Sequence, residues 1–175
     1  YGFMHYELYR NDALIYEGQS NVYVHYVPNG LHTYYVIARY QSSSSEPSES
    51  ATVNVIVAQE LQNVGHVVNG DSVTITWDLP IDTYGFSHVE VWRGTDLVGT
   101  VLPEDGNSYI DADIGNGHYF CHLRSVYEGG SFRVHSYDFI ILVPYAPGNF
   151  QSSVEGHNVQ LSWDPPSDIY YMTGY

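Results

Sequence analysis

Nine histidines, a single cysteine and twenty acidic residues are the side chains of this chain that could do acid–base, nucleophilic or metal chemistry. His118 and His122 stand four apart. On a helix that spacing stacks two imidazoles over one metal site, but on a strand it separates them by about 13 Å. Tyr119, Cys121 and Leu123 recur with period two, so the strand reading holds and the pair cannot chelate by itself. Neither His-Glu-x-x-His nor Cys-x-x-Cys occurs, so the metal motifs of hydrolases and zinc modules are missing. The histidines read as solvent-facing or edge residues. Cys121 has no partner within the chain and falls on the inward phase of its strand, where an apolar surrounding makes a thiol a core filler rather than a nucleophile. No Gly-x-Ser-x-Gly elbow or phosphate-cradling glycine loop is present, and no catalytic residue is expected. Paired acids occur at Asp111 and Asp113, but acid–base work needs a cleft around them. The run Asp111-Ala-Asp113-Ile-Gly-Asn116-Gly117 spaces oxygen ligands around glycine as calcium loops do. It lacks the bidentate acid that closes such loops, and a turn between two strands accounts for it more simply. Asp111 and Asp113 are thus weak metal candidates, and no cofactor is expected.

Charge narrows the partners. Five arginines and no lysine face the twenty acids, for a net charge of -15. Such a surface repels nucleic-acid phosphates and anionic lipid headgroups, so neither nucleic acid nor membrane insertion is expected. No apolar run reaches the length of a membrane span. Eighteen Tyr, six Phe and three Trp suit a pleated, half-buried surface, and no stretch keeps helical periodicity for three turns.

An internal repeat organises these residues. Asn69-Gly-Asp-Ser-Val-Thr-Ile-Thr-Trp77-Asp-Leu-Pro80 returns 86 residues later as Glu155-Gly-His-Asn-Val-Gln-Leu-Ser-Trp163-Asp-Pro-Pro166. Tyr1-Gly-Phe-Met-His5-Tyr-Glu-Leu-Tyr-Arg10 returns at an offset of 83 as Tyr84-Gly-Phe-Ser-His88-Val-Glu-Val-Trp-Arg93, and Asn29-Gly30 returns at 87 as Asn116-Gly117. The drift places a four-residue insertion near Leu102 to Asn107 in the second copy. His5 and His88 share a repeat position, which suits a module position better than a unique catalytic one. Val73, Ile75 and Trp77 alternate, as do Val89 and Val91, and Tyr119, Cys121 and Leu123. Period two puts each set on one inward face, with Trp77, Trp163 and Tyr119 as structural core. The fold class is therefore all-β: tandem immunoglobulin-like sandwiches. Residues 1–57 are the closing strands of a first module, 58–144 a whole module and 145–175 the opening strands of a third.

The order Val73-x-Ile75-x-Trp77-Asp-x-Pro80, then Val89-Glu-Val-Trp-Arg93, Ser108-Tyr109-x-Asp111 and Gly117-His-Tyr119 resembles a fibronectin type III domain. The first copy, with Tyr6-Glu-Leu-Tyr-Arg-Asn11, Thr33-Tyr-Tyr-Val36 and Ser45-Glu-Pro-Ser-Glu-Ser-Ala-Thr-Val53, resembles the version carried by secreted bacterial proteins, and Ala146-Pro-Gly-Asn-Phe150 opens the third copy as such modules open. The resemblance spans essentially the whole chain. It makes Tyr119 the family's corner tyrosine, with His32 in that place in the first copy, and it sets Val24 opposite Asp111.

If the inward sets are correct, Trp92, Phe120, His122 and Arg124 look outward from neighbouring strands, and Tyr9, Tyr35 and Arg39 do so in the first copy. Aromatic rings beside arginine make either a binding patch or an apolar shield over a solvated sheet face; the shield is the plainer reading. Ser42 to Ser50 reads as a loop tip, and no Asn-x-Ser/Thr sequon occurs. The head and tail of the chain are complementary halves of one module, with Tyr170 to Tyr175 returning to the phase of Tyr1 to Tyr6. Half a sandwich exposes core and strand edges, so the chain is either a window on a longer polypeptide or a subunit completed head to tail by strand addition. The expected role is a non-enzymatic structural or adhesive segment of an extracellular or cell-surface protein, forming a rod or filament. Its partners would be neighbouring copies of the same protein or adjacent modules, with surface glycans as further candidates. The alternative is a carbohydrate- or protein-binding accessory module of a secreted hydrolase.

Overall fold

A computed structural model describes residues 2–130 and 132–167. The expected return of the first copy's phase at Tyr170 to Tyr175 lies outside them. All strand pairs are antiparallel. In the first copy β1 (Phe3–Arg10), β2 (Ala13–Gly18), β3 (Gly30–Tyr40), β4 (Ser43–Ser44) and β5 (Ala51–Val55) form one sheet in the order β2-β1-β3-β4, with β5 also on β3. The β1–β2 hairpin turns at Asn11 (φ 47) and Asp12 (φ 65); two left-handed residues match the twist of the flanking strands, and Asn and Asp adopt that conformation more readily than other side chains.

The second copy is a full sandwich. Its strands are β6 (Gln62–Asn69), β7 (Ser72–Asp78), β8 (Phe86–Arg93), β9 (Asp96–Val101), β10 (Ser108–Asp111), β11 (Gly117–Tyr127) and β12 (Phe132–Ile141). They form two sheets, β10-β7-β6 and β12-β11-β8-β9. Alternation drives the packing: Val73, Ile75 and Trp77 from the first sheet meet Val89, Val91, Cys121, Leu123, Phe139 and Ile141 from the second in one buried cluster. Trp77, 3% exposed, is the interior anchor the repeat implied. Tyr119 lies half-buried against the same cluster.

The third copy is the hairpin β13 (Gly148–Glu155) and β14 (Asn158–Asp164). Here the expectation for Trp163 fails: it is 52% exposed, and every residue of both strands is solvent-exposed. The reason is geometric. Trp77 is buried because the sheet β8-β11-β12 covers it, and among the described residues nothing covers β14. The first copy shows the other half of the same deficit, with His32 the only fully buried residue among residues 2–57.

One sequence correspondence needs adjustment. In the second copy Tyr109 and Asp111 turn inward. In the first, the residues with that facing are Tyr23 and His25: the Tyr23 ring lies 4.7 Å from that of Tyr16 and stacks on His25 at 5.4 Å, while Val24 is 89% exposed. His25, not Val24, therefore stands in the place of Asp111. The corner survives in altered chemistry. The Tyr119 hydroxyl donates to the carbonyl of Gly115 at 2.9 Å, and buried His32 spans the same four residues with its Nε2, 2.9 Å from the carbonyl of Pro28.

Candidate functional site

β8 and β11 place Trp92 opposite His122 and Glu90 opposite Arg124. Because Val89, Val91, Cys121 and Leu123 are drawn into the core, the intervening residues must stand on the outer face. There the Trp92 and His122 rings stack at 5.7 Å and 5°. The Trp92 Nε1–H donates to Glu90 Oε2 at 2.9 Å, and the Arg124 guanidinium, 3.6 Å from that oxygen, lies between the Trp92 ring (4.4 Å) and the Phe132 ring (4.7 Å). Burial first, and Arg124 second, push the His122 imidazole below its ordinary pKa. Phe132 is the member that sequence reasoning missed. It comes from β12, across from Val126, and strand order is not visible in local alternation.

The first copy builds the same device. Tyr9 and Tyr35 stack at 4.9 Å and 8°. Glu7, in the repeat position of Glu90, accepts from the Tyr9 hydroxyl and from Arg39, each at 2.7 Å. The Arg39 hydrogen bond, followed by that of Tyr9, holds the Glu7 carboxyl down to about 2. Register separates the two copies at one point: Arg39 lies across from His5, two residues along the strand from the Arg124 position, whose counterpart is Ile37 opposite Glu7.

In both copies a carboxylate ties an aromatic donor to an arginine. The cluster thus answers most of its own polar groups, as a shield does; only the Arg124 Nε stays buried without a partner. Phe120 stands apart. Its ring meets His118 at 4.8 Å and is 69% exposed, beside a shallow cleft of about 310 Å³ lined also by His122, Ser136 and Asp138.

The remaining chemical candidates are engaged elsewhere. Asp111 is buried and accepts from Arg93 at 2.7 Å, while Asp113 is an exposed turn residue at φ 56. His118 pairs with Asp138 at 2.8 Å. Cys121 is buried, and burial pushes its thiol up to about 11. Among the described residues no three His, Cys, Asp or Glu side chains gather as a metal site, and no helix is long and apolar enough to cross a membrane.

A second set of polar contacts ties the opening segment of the whole module to its own β11 and β12. The Ser125 hydroxyl donates to the carbonyl of Gln59, and Arg133 Nε to that of Ala58 at 3.1 Å. Ser125, 1% exposed, occupies an inward position that alternation alone would have filled with an apolar residue; its partner on the connecting segment explains the hydroxyl.

A three-stranded and a four-stranded antiparallel sheet around one core, with a tyrosine corner at the edge, define an all-β sandwich of the immunoglobulin-like class. The two fibronectin type III domain segment of chicken tenascin narrows this to the fibronectin type III fold: it is similar with a TM-score of 0.54 at 16% identity, over 80% of this chain and 86% of that one. The central fibronectin-III array of RIM-binding protein is also similar, at 16% identity over 92% of this chain and 67% of that one, with a TM-score of 0.39. No family profile matches the sequence, and no curated protein aligns with it.

Proposed function

We propose that this chain is a non-enzymatic structural segment of an extracellular or cell-surface multi-module rod or filament, in which the β13–β14 hairpin of one copy adds to the β1–β3 sheet of another. Its domains follow the repeat: residues 1–57 close one module, 58–144 make a whole one and 145–175 open the next. One observation carries the reading. Among the described residues the β13–β14 hairpin and the β1–β3 sheet, repeats of two halves that pack together in the second copy, are each uncovered.

Within the whole module, the β6–β7 hairpin lays Val73, Ile75 and Trp77 on the sheet of β8 and β11, and β7 pairs with β10. The β13–β14 hairpin is the repeat of β6–β7, and it presents Val159, Leu161 and Trp163 to solvent. The β1–β3 sheet is the repeat of β8–β11, and its uncovered side carries a cleft of about 440 Å³ lined by Tyr6, Leu8, Tyr16, Tyr23 and Val36. Segment 22–25, the repeat of β10, has no strand beside it among the described residues. In the second copy Tyr109 pairs with Ile75 and Ile110 with Thr74. Carried through the repeat, that register sets Tyr23 of one copy opposite Leu161 of the next, and Val24 opposite Gln160.

The double variant Val24→Cys/Gln160→Cys tests this under mild oxidation. The buried Cys121 does not compete. A ladder of disulfide-linked oligomers is expected from the double variant, and dimers alone from a mixture of the two single variants. No cross-linking beyond that of a control cysteine at exposed Val67 refutes the register.

A second reading, an accessory module that binds glycan or protein, draws on the exposed Phe120 ring and the shallow cleft beside it. It requires that Trp92→Ala or Phe120→Ala abolish glycan-array binding without loss of folding.

A further inference from the structure

The segment joining the first copy to the whole module is clamped from both sides. The Asn29 carboxamide pairs with Val57 as a strand would: its Nδ2 donates to the Val57 carbonyl at 3.0 Å, and its Oδ1 accepts from the Val57 N–H at 2.7 Å. That two-way clasp holds the end of the first copy against the start of β3 and leaves the Asn29 backbone N–H free to point outward. The N–H donates at 3.1 Å to Asp82 Oδ2, in the loop after β7 of the next module. Asp82 is itself held in place. Its Oδ1 accepts from the Tyr84 N–H at 3.1 Å, and its carbonyl accepts from the Tyr127 hydroxyl at 2.7 Å. Beside it Ile56 packs on Gly85, where a Cβ would come within 3.0–3.2 Å of the isoleucine side chain and φ is +74. Glycine is thus required at 85 both for the backbone and for the approach of the preceding module.

The sequence repeats both members of this contact. Asn116 follows Asn29 by 87 residues and clasps Val143 in the same two-way fashion, at 3.0 and 2.5 Å. Asp168 follows Asp82 by 86, the spacing that relates Trp163 to Trp77; it lies outside the described residues.

We infer that Asn29 and Asp82 form the coupler that fixes the rotation of one module against the next. The segment that follows β5 is tied by the Asn29 side chain, and the backbone of the same asparagine reads Asp82 of the next module. A carboxylate acceptor makes this single hydrogen bond stronger than a neutral one, and the apolar Ile56–Gly85 contact limits twisting about it. The inference concerns contacts within one chain and does not depend on head-to-tail completion between copies.

Amide exchange and residual dipolar couplings of the full chain test it. In the native chain the Asn29 amide is expected to be protected, and the strands of residues 3–55 and 62–141 to share one alignment tensor. Asp82→Ala is expected to speed Asn29 exchange at least about tenfold, the equivalent of a charge-assisted bond of about 1.5 kcal/mol, and to split the tensor in two. Amides of β6 to β12 are expected to keep their protection. Ile56→Ala, which leaves the Asp82 loop intact, is expected to loosen the tensor in the same direction. An Asn29 amide that exchanges as in an unstructured chain, or that ignores Asp82→Ala, overturns the coupler. The intermolecular Val24/Gln160 cross-link is expected to survive Asp82→Ala, so failure of one proposal is distinguishable from failure of the other.

Discussion

Replacing Trp77 with alanine separates the two indoles that the repeat makes equivalent. Trp77 is 3% exposed within the core cluster. A buried indole covers roughly 200 Å², which at about 25 cal/mol/Å² is about 5 kcal/mol. Its Nε1–H has no partner, and an unpaired buried donor offsets about 1–3 kcal/mol of that. With the cavity left behind, Trp77→Ala is expected to cost about 3–4 kcal/mol. Trp77→Phe, which removes the orphan donor and keeps most of the ring, is expected to cost about 1–2 kcal/mol. Trp163→Ala, on the uncovered hairpin, is expected to change stability by less than about 0.5 kcal/mol in dilute solution. Equilibrium urea unfolding followed by far-ultraviolet circular dichroism gives all three, with the Trp77 variants shifting the midpoint at constant slope. The packing argument is refuted if Trp77→Ala costs under about 1 kcal/mol, or if Trp163→Ala matches it.

Arg93→Ala leaves Asp111 buried without its cation, and is expected to cost about 2–3 kcal/mol in the same urea assay, somewhat below the range for a fully buried pair because Arg93 is partly solvated. The Glu7 carboxyl, held down to about 2 by Arg39 and Tyr9, contributes stability that is complete above the unfolded value near 4.5 and lost as pH falls toward 2. Amide protection across β1 and β3, taken relative to the intrinsic exchange rate at each pH, is expected to fall over that window in the native chain, and to stay flat in Glu7→Gln. Cys121, with its thiol raised to about 11, is expected to resist Ellman's reagent at pH 8 and to react at once in denaturant. Asn116→Ala removes both bonds to Val143 and is expected to cost about 1–3 kcal/mol, read as a lower thermal midpoint.

The inward residues of the second copy were legible because period two is a local signal. Val73, Ile75 and Trp77 reveal their facing within five residues, and the cores of β8 and β11 follow likewise. The aromatic face followed as its complement, so Trp92, His122 and Arg124, and Tyr9 and Tyr35, meet as the sequence implied. What escaped depends on elements distant in sequence. Trp163 has the motif of a core anchor but no covering sheet among the described residues. Phe132 joins the arginine only because β12 lies beside β11. His25 was hidden by a gap that identity counting cannot place and that only the inward turn of Tyr23 fixes. His32 was read as a departure from the corner, yet imidazole nitrogen and phenol oxygen both reach a carbonyl four residues back. Ser125 meets a backbone carbonyl far back in the chain, and Asn29 meets Asp82 of the next module through its backbone N–H; periodicity marks neither partner.

Sedimentation velocity over a concentration series tests the central claim, that the β13–β14 hairpin of one copy adds to the β1–β3 sheet of another. The native chain is expected to shift from its 19.8 kDa subunit to progressively longer, elongated species as concentration rises, and Trp163→Ala to remain at the subunit. A native chain that stays monomeric at every concentration, or a Trp163→Ala variant that assembles equally well, contradicts the account.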